Sequence, residues 1–98
     1  MAAYVISEVE IRDAVAIEEY RSRAAASIAV HGGRYLVRGG LAEAVEGGPP
    51  PKGLVVVEFP SMERARRWYA SSEYAEALKY RNAALDRRLL FVEGASGS

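Results

Sequence analysis

Ninety-eight residues with thirteen basic and thirteen acidic side chains, no net charge and no cysteine describe one domain without a disulfide framework or thiol chemistry. Balanced charge removes the long-range field by which nucleic-acid and acidic-membrane binders collect their partners, so neither partner is expected. A single histidine argues against a transition-metal site within one subunit, no cofactor is expected, and the lack of a leader-like segment or an apolar run of bilayer length suggests a cytoplasmic protein.

From Ala3 to Ile11 apolar residues fall on both parities, Tyr4 and Ile6 against Val5 and Val9, which suits a strand covered on both faces. Asp13 is placed to cap a helix in which Ile17, Tyr20, Ala24, Ser27 and Ile28 recur at three- and four-residue steps, ending at His31-Gly32. Arg34 to Gly40 reads as a second strand between the pairs Gly32-Gly33 and Gly39-Gly40, where the chain can turn left-handed or bend. Leu41 to Lys52 carries Gly47-Gly48-Pro49-Pro50-Pro51, a turn or loop poor in ladder donors, and Leu54 to Phe59 is a third strand.

Pro60-Ser61 stops that strand, and Ser61 is a natural cap for a helix through Ala65, Trp68 and Tyr69. Ser71-Ser72 breaks the helix before Tyr74, Ala77, Leu78, Arg81 and Leu85 resume helical spacing. Arg88 to Glu93 is a fourth strand. Residues 1–94 are read as one domain and 95–98 as a small-residue, disordered tail. Strand, helix, strand, strand, helix, strand specifies an α+β fold: a ferredoxin-like β-α-β-β-α-β sandwich with a four-stranded antiparallel sheet.

Splitting each strand by parity gives two faces. One is nearly all apolar: Val5 and Val9, Tyr35 and Val37, Val55, Val57 and Phe59, Leu90 and Val92. Two helices suffice to cover it. The other mixes Tyr4, Ile6, Leu36, Leu54, Val56, Leu89 and Phe91 with Glu8, Arg34, Arg38, Glu58 and Glu93. No remaining element could cover that face, so a homodimer packing sheet on sheet around a barrel-like space is expected. Treating the first and third strands as parallel neighbours puts Glu8 and Glu58 at one end of the open face, with Arg34 close to Glu58 and Arg38 toward Leu54.

His31-Gly32-Gly33, Arg38-Gly39-Gly40, Glu58-Phe59-Pro60-Ser61, Trp68-Tyr69 and Ser72-Glu73-Tyr74 with Arg81 together resemble domain-of-unknown-function family 1330 over nearly the whole chain. One departure is Ser72, which stands where that pattern usually has proline. The resemblance implies the dimeric alpha/beta barrel superfamily, whose members include cofactor-free monooxygenases, muconolactone isomerases, haem-degrading enzymes and stress-responsive barrel proteins. It implies the same homodimer and supplies no activity.

The candidate catalytic residues are His31 and Glu58. An imidazole at His31 can accept or donate a proton at the mouth of a pocket, although histidine also suits a helix terminus for its dipole alone. Glu58 follows four apolar residues in a central strand, where desolvation raises a carboxyl pKa, and an ion pair across subunits is its plainer reading. Arg38 can grip a carboxylate or enolate oxygen as a bidentate fork, or pair with a glutamate of the partner subunit. Trp68 and Tyr74 offer flat walls for a planar molecule, against the ordinary reading as core, and Arg81 can reach back toward a carboxylate. These residues permit a barrel protein binding a small organic ligand near His31, Arg38 and Glu58, as a cofactor-independent enzyme moving a proton on a carbonyl or carboxylate compound. The alternative is a non-catalytic dimer for binding or structure, its charges joining the subunits.

Overall fold

The computed structural model describes residues 1–95, so the last three residues of the expected tail lie outside the described residues. Its elements are β1 (Ala3–Ile11), α1 (Ala14–Val30), β2 (Arg34–Gly40), β3 (Gly53–Phe59), α2 (Met62–Tyr69), α3 (Ser72–Ala84) and β4 (Leu85–Glu93). The four strands form one antiparallel sheet in the order β2-β3-β1-β4. This is the α+β ferredoxin-like architecture read from the sequence, with the second helix split as the serine pair suggested.

Side-chain oxygens start each helix. Asp13 Oδ1 accepts from the backbone N–H groups of Val15 and Ala16, both at 2.8 Å. Ser61 Oγ accepts from Arg64 N–H at 3.1 Å. Ser71 serves two helices: its hydroxyl donates to Trp68 O at the end of α2 and accepts from Tyr74 N–H at the start of α3. Helix α1 ends where Gly32 takes φ +78°, a left-handed conformation that disfavours a side chain. Gly33 follows against the core, where an added Cβ would lie 2.7 Å from the Phe59 ring.

The stripe Ile17, Tyr20, Ala24, Ser27 and Ile28 is the buried face of α1, as its spacing requires. It packs with Tyr74 and Ala77 of α3 and with Ala65 and Trp68 of α2 over Val5, Val57 and Phe59 of the sheet. Phe59 and Tyr74 are fully buried. Phe59, Trp68 and Tyr74 form a stack of tilted rings, with centroids 5.4 Å and 4.2 Å apart in turn.

Three placements differ from the parity reading. Strands β1 and β3 are antiparallel, so Tyr4 faces Glu58 and Glu8 faces Leu54, and the two glutamates sit at opposite ends of the open face. A β-bulge interrupts β2: Tyr35 pairs with Val57 but Val37 pairs with Val56 and Arg38 with Val55. The extra residue reverses the alternation, turning Val37 to the open face and Arg38 to the helix-covered face. In β4, Phe91 pairs with Val5 and Leu89 with Ser7, so these two face the helices and Leu90 and Val92 face away. Four consecutive apolar residues carry no period, and the register with β1 decides which two are covered. The strand also begins at Leu85, directly from α3, and therefore includes Arg87.

On the open face a central aliphatic row runs across all four strands, Val37, Val56, Ile6 and Leu90. Beside it lie Arg34, Glu58, Tyr4 and Val92 on one flank and Leu54, Glu8 and Arg88 on the other. No helix among the described residues covers this face, whose Val92 is 41% exposed.

Candidate functional site

A cavity of about 390 Å³ lies between α1 and the sheet. Ser7, Val9, Val55 and Leu89 contribute to its floor, Ile17, Tyr20 and Ala24 of α1 to its roof, and Tyr35 and Trp68 give it aromatic wall. Three arginines complete the lining, Arg21, Arg38 and Arg87, and it contains no aspartate or glutamate. A mostly apolar hollow with a few polar groups is the form of a small-molecule site.

Arg87 enters from β4 because the strand starts early, and its Nη1 donates to Tyr20 Oη at 2.6 Å. Tyr20 Oη is also 2.7 Å from Tyr74 Oη, where either hydroxyl can donate. Burial, together with Tyr74 beside it, pushes the Tyr20 pKa far up, so Tyr20 remains a neutral phenol. Burial pulls the Arg87 pKa down, but the hydroxyls of Tyr20 and Tyr74 more than offset this and Arg87 remains a cation. Arg38 lies over the Tyr35 ring, 4.4 Å from its centroid, at the exposed margin of the cavity. Burial raises the Tyr35 pKa and Arg38 opposes the rise.

Trp68 is held in the wall by its indole N–H, which donates to Ser27 Oγ at 2.9 Å, while Ser27 Oγ donates to Ala24 O at 2.7 Å. Ser7 is 7% exposed and its hydroxyl makes no hydrogen bond to another described residue.

The six candidates read from the sequence are dispersed. Arg38 and Trp68 line the cavity. Tyr74 stands behind it, fully buried, against the lining residues Tyr20 and Trp68. His31 caps the end of α1, away from the cavity lining, and its Nε2 is 2.8 Å from Glu73 Oε1. That hydrogen bond, helped by the backbone N–H of Glu73 itself, holds the Glu73 carboxyl below its usual range. Glu58 lies on the open face and accepts from Arg34 Nε at 2.7 Å, the pairing expected from the sequence. Arg81 lies outside the lining, and its buried Nε has no hydrogen-bond partner. The expected grouping of His31, Arg38 and Glu58 around one cleft is thus not formed, because the bulge separates Arg38 from Glu58 and the helix end removes His31.

Tyr20, Ser7 and Arg87 line the cavity and are not among the candidates read from the sequence. Tyr20 is indistinguishable from core in a helical stripe, and Arg87 fell just before the expected strand. Ser7, a lone hydroxyl between Val5 and Val9 on the covered face, was the one legible signal. Among the described residues no group of three or more His, Cys, Asp or Glu side chains could hold a metal, and no helix is long and apolar enough to cross a membrane.

The fold recurs in solved structures. A protein of unknown function from Rhodopseudomonas palustris, RPA0582, matches with TM-score 0.77 and 20% identity over 97% of this chain and 83% of its own. SnoaB, a cofactor-independent oxygenase from Streptomyces nogalater, matches with TM-score 0.68 and 14% identity over 97% of this chain and 94% of its own. A dimeric protein of unknown function and ferredoxin-like fold from Bacteroides fragilis matches with TM-score 0.61 and 13% identity over 95% and 96%. At these identities the likeness is one of fold. No curated protein matches the chain significantly. The model of the family described as Domain of unknown function (DUF1330) matches residues 2–95, and the chain belongs to that family.

Proposed function

We propose that the protein is a homodimer that binds a small organic molecule, each protomer holding one in the cavity between α1 and the sheet. The observation that carries this reading is the hollow itself, about 390 Å³ of mainly apolar space with Tyr20, Tyr35 and Trp68 in its walls. A core packed to ordinary density leaves no such volume. The uncovered aliphatic row Val37, Val56, Ile6 and Leu90 supports the dimer, since burying each such side chain against a partner stabilises by up to about 1.5–3 kcal/mol. In this reading Arg34 and Glu58 belong to the subunit contact and His31 with Glu73 fastens the end of α1 to α3, so neither His31 nor Glu58 acts on the ligand.

One observation favours a second reading, cofactor-independent proton transfer on a carbonyl or carboxylate compound: Tyr20, a neutral phenol that accepts from Arg87, is among the cavity-lining residues and can donate to an oxygen that gains negative charge. SnoaB is named for a reaction of the cofactor-independent kind. Binding is tested by titrating aromatic fragments into isotopically labelled protein. Shifted resonances at Ser7, Tyr35, Trp68 and Leu89 are expected, and shifts confined to the open face refute the cavity reading. Solvent-deuterium incorporation into a bound carbonyl fragment, lost in Tyr20→Phe, would support the second reading over simple binding.

A further inference from the structure

The charge around the cavity is one-sided. Over the whole chain positive and negative residues balance, yet three arginines and no carboxylate line this one hollow. Arg21 has a partner, Glu18, at 3.7 Å. Arg38 and Arg87 have no carboxylate within ion-pair distance among the described residues, as is also true of Arg64, Arg66, Arg81 and Arg88 outside the cavity. Arg87 is half-buried and its observed hydrogen bond uses one guanidinium N–H, on Tyr20. Placing a cation against apolar walls without a counter-charge is unfavourable, and an arriving anion relieves that cost. Its fork geometry suits a carboxylate better than a neutral carbonyl.

Geometry gives the rest of the ligand. Arg87 stands opposite Val9 on one edge of the sheet, and Arg38 stands opposite Val55 near the other edge. Between them Ser7, a residue 7% exposed, offers a hydroxyl with no hydrogen-bond partner among the described residues, and Tyr35 and Trp68 supply flat surface. We infer that the cavity selects a flat, unsaturated organic carboxylate, its charged end held by Arg87 beside Tyr20 and its ring among the aromatic walls. This rests on the cavity reading above and adds the chemical class of the ligand. Arg38, exposed at the margin, draws the anion in rather than anchoring it.

The test compares 2-naphthoate with 2-naphthamide, equal in shape and different in charge, by isothermal titration against the full chain. Naphthoate is expected to bind at least about tenfold more tightly than the amide, as a charge-assisted hydrogen bond would give. In Arg87→Met the naphthoate-to-amide ratio should fall to about one, while Arg38→Met should lower the association rate of naphthoate measured by stopped-flow mixing. Equal binding of both probes to the wild-type protein overturns the anion inference and leaves the cavity reading standing. A preference that survives Arg87→Met overturns the assignment of Arg87. If neither probe binds at millimolar concentration, the cavity reading falls and this inference falls with it. The wild-type comparison requires no variant to fold.

Discussion

Replacing Ser27 by alanine removes the acceptor for a buried indole N–H, and the structure sets what that costs. Ser27 is 1% exposed and Trp68 2%, so no water can replace the lost Oγ without rearrangement. A buried donor left without an acceptor costs about 1–3 kcal/mol. Alanine regains up to about 0.5 kcal/mol through its better helix propensity. A net loss of about 1–2 kcal/mol follows, and for a domain of this size each kcal/mol lowers Tm by about 4–8 °C. Trp68→Phe keeps an aromatic ring against Phe59 and Tyr74 while deleting the donor, so adding Ser27→Ala to it should cost close to nothing. Urea unfolding of the four proteins at one fixed protomer concentration gives the coupling directly. If Ser27→Ala is equally costly with tryptophan and with phenylalanine at position 68, the hydrogen bond does not hold the cavity wall and the reasoning is wrong.

Three other outcomes are expected. Val56→Lys, in the middle of the aliphatic row, should convert a dimeric sedimentation coefficient into a monomeric one with the circular dichroism of the fold retained; an unchanged dimer would move the interface elsewhere. Gly33→Ala places a Cβ 2.7 Å from the Phe59 ring and 2.8 Å from Ile28 Cγ2, an overpacking that should destabilise by about 1–3 kcal/mol in denaturant titration. The Glu73 carboxyl should titrate below 4.5 by carbon-detected NMR and return toward that value in His31→Ala. Because its folded pKa is the lower one, the stability it contributes is present above the unfolded value and disappears as pH falls through the folded one, so wild type and Glu73→Gln should converge in acid.

Much of the architecture was legible locally. Asp13 and Ser61 announce helix starts because a short side-chain oxygen satisfies an otherwise orphaned N–H, Ser71-Ser72 marks a helix break, and the stripe from Ile17 to Ile28 names its own buried face. The order of strands and helices follows from these starts and from the glycine and proline breaks. Side chains on one face of a single strand were also readable where polar residues mark the alternation, as at Glu58 between Val57 and Phe59.

What the sequence could not determine was how strands meet. The bulge that carries Arg38 to the covered face depends on hydrogen bonds to β3, and the covered pair in Leu89-Leu90-Phe91-Val92 depends on register with β1. Both are contacts between segments far apart in the chain, and no local pattern encodes them. By itself the sequence determined the elements, their order and the apolar make-up of a sheet face that no helix of the chain covers. Only the tertiary structure decided that the arginines at 38 and 87 share a cavity with Tyr20 while His31 and Glu58 lie elsewhere, because a one-residue shift in pairing moves a side chain across the full thickness of a sheet.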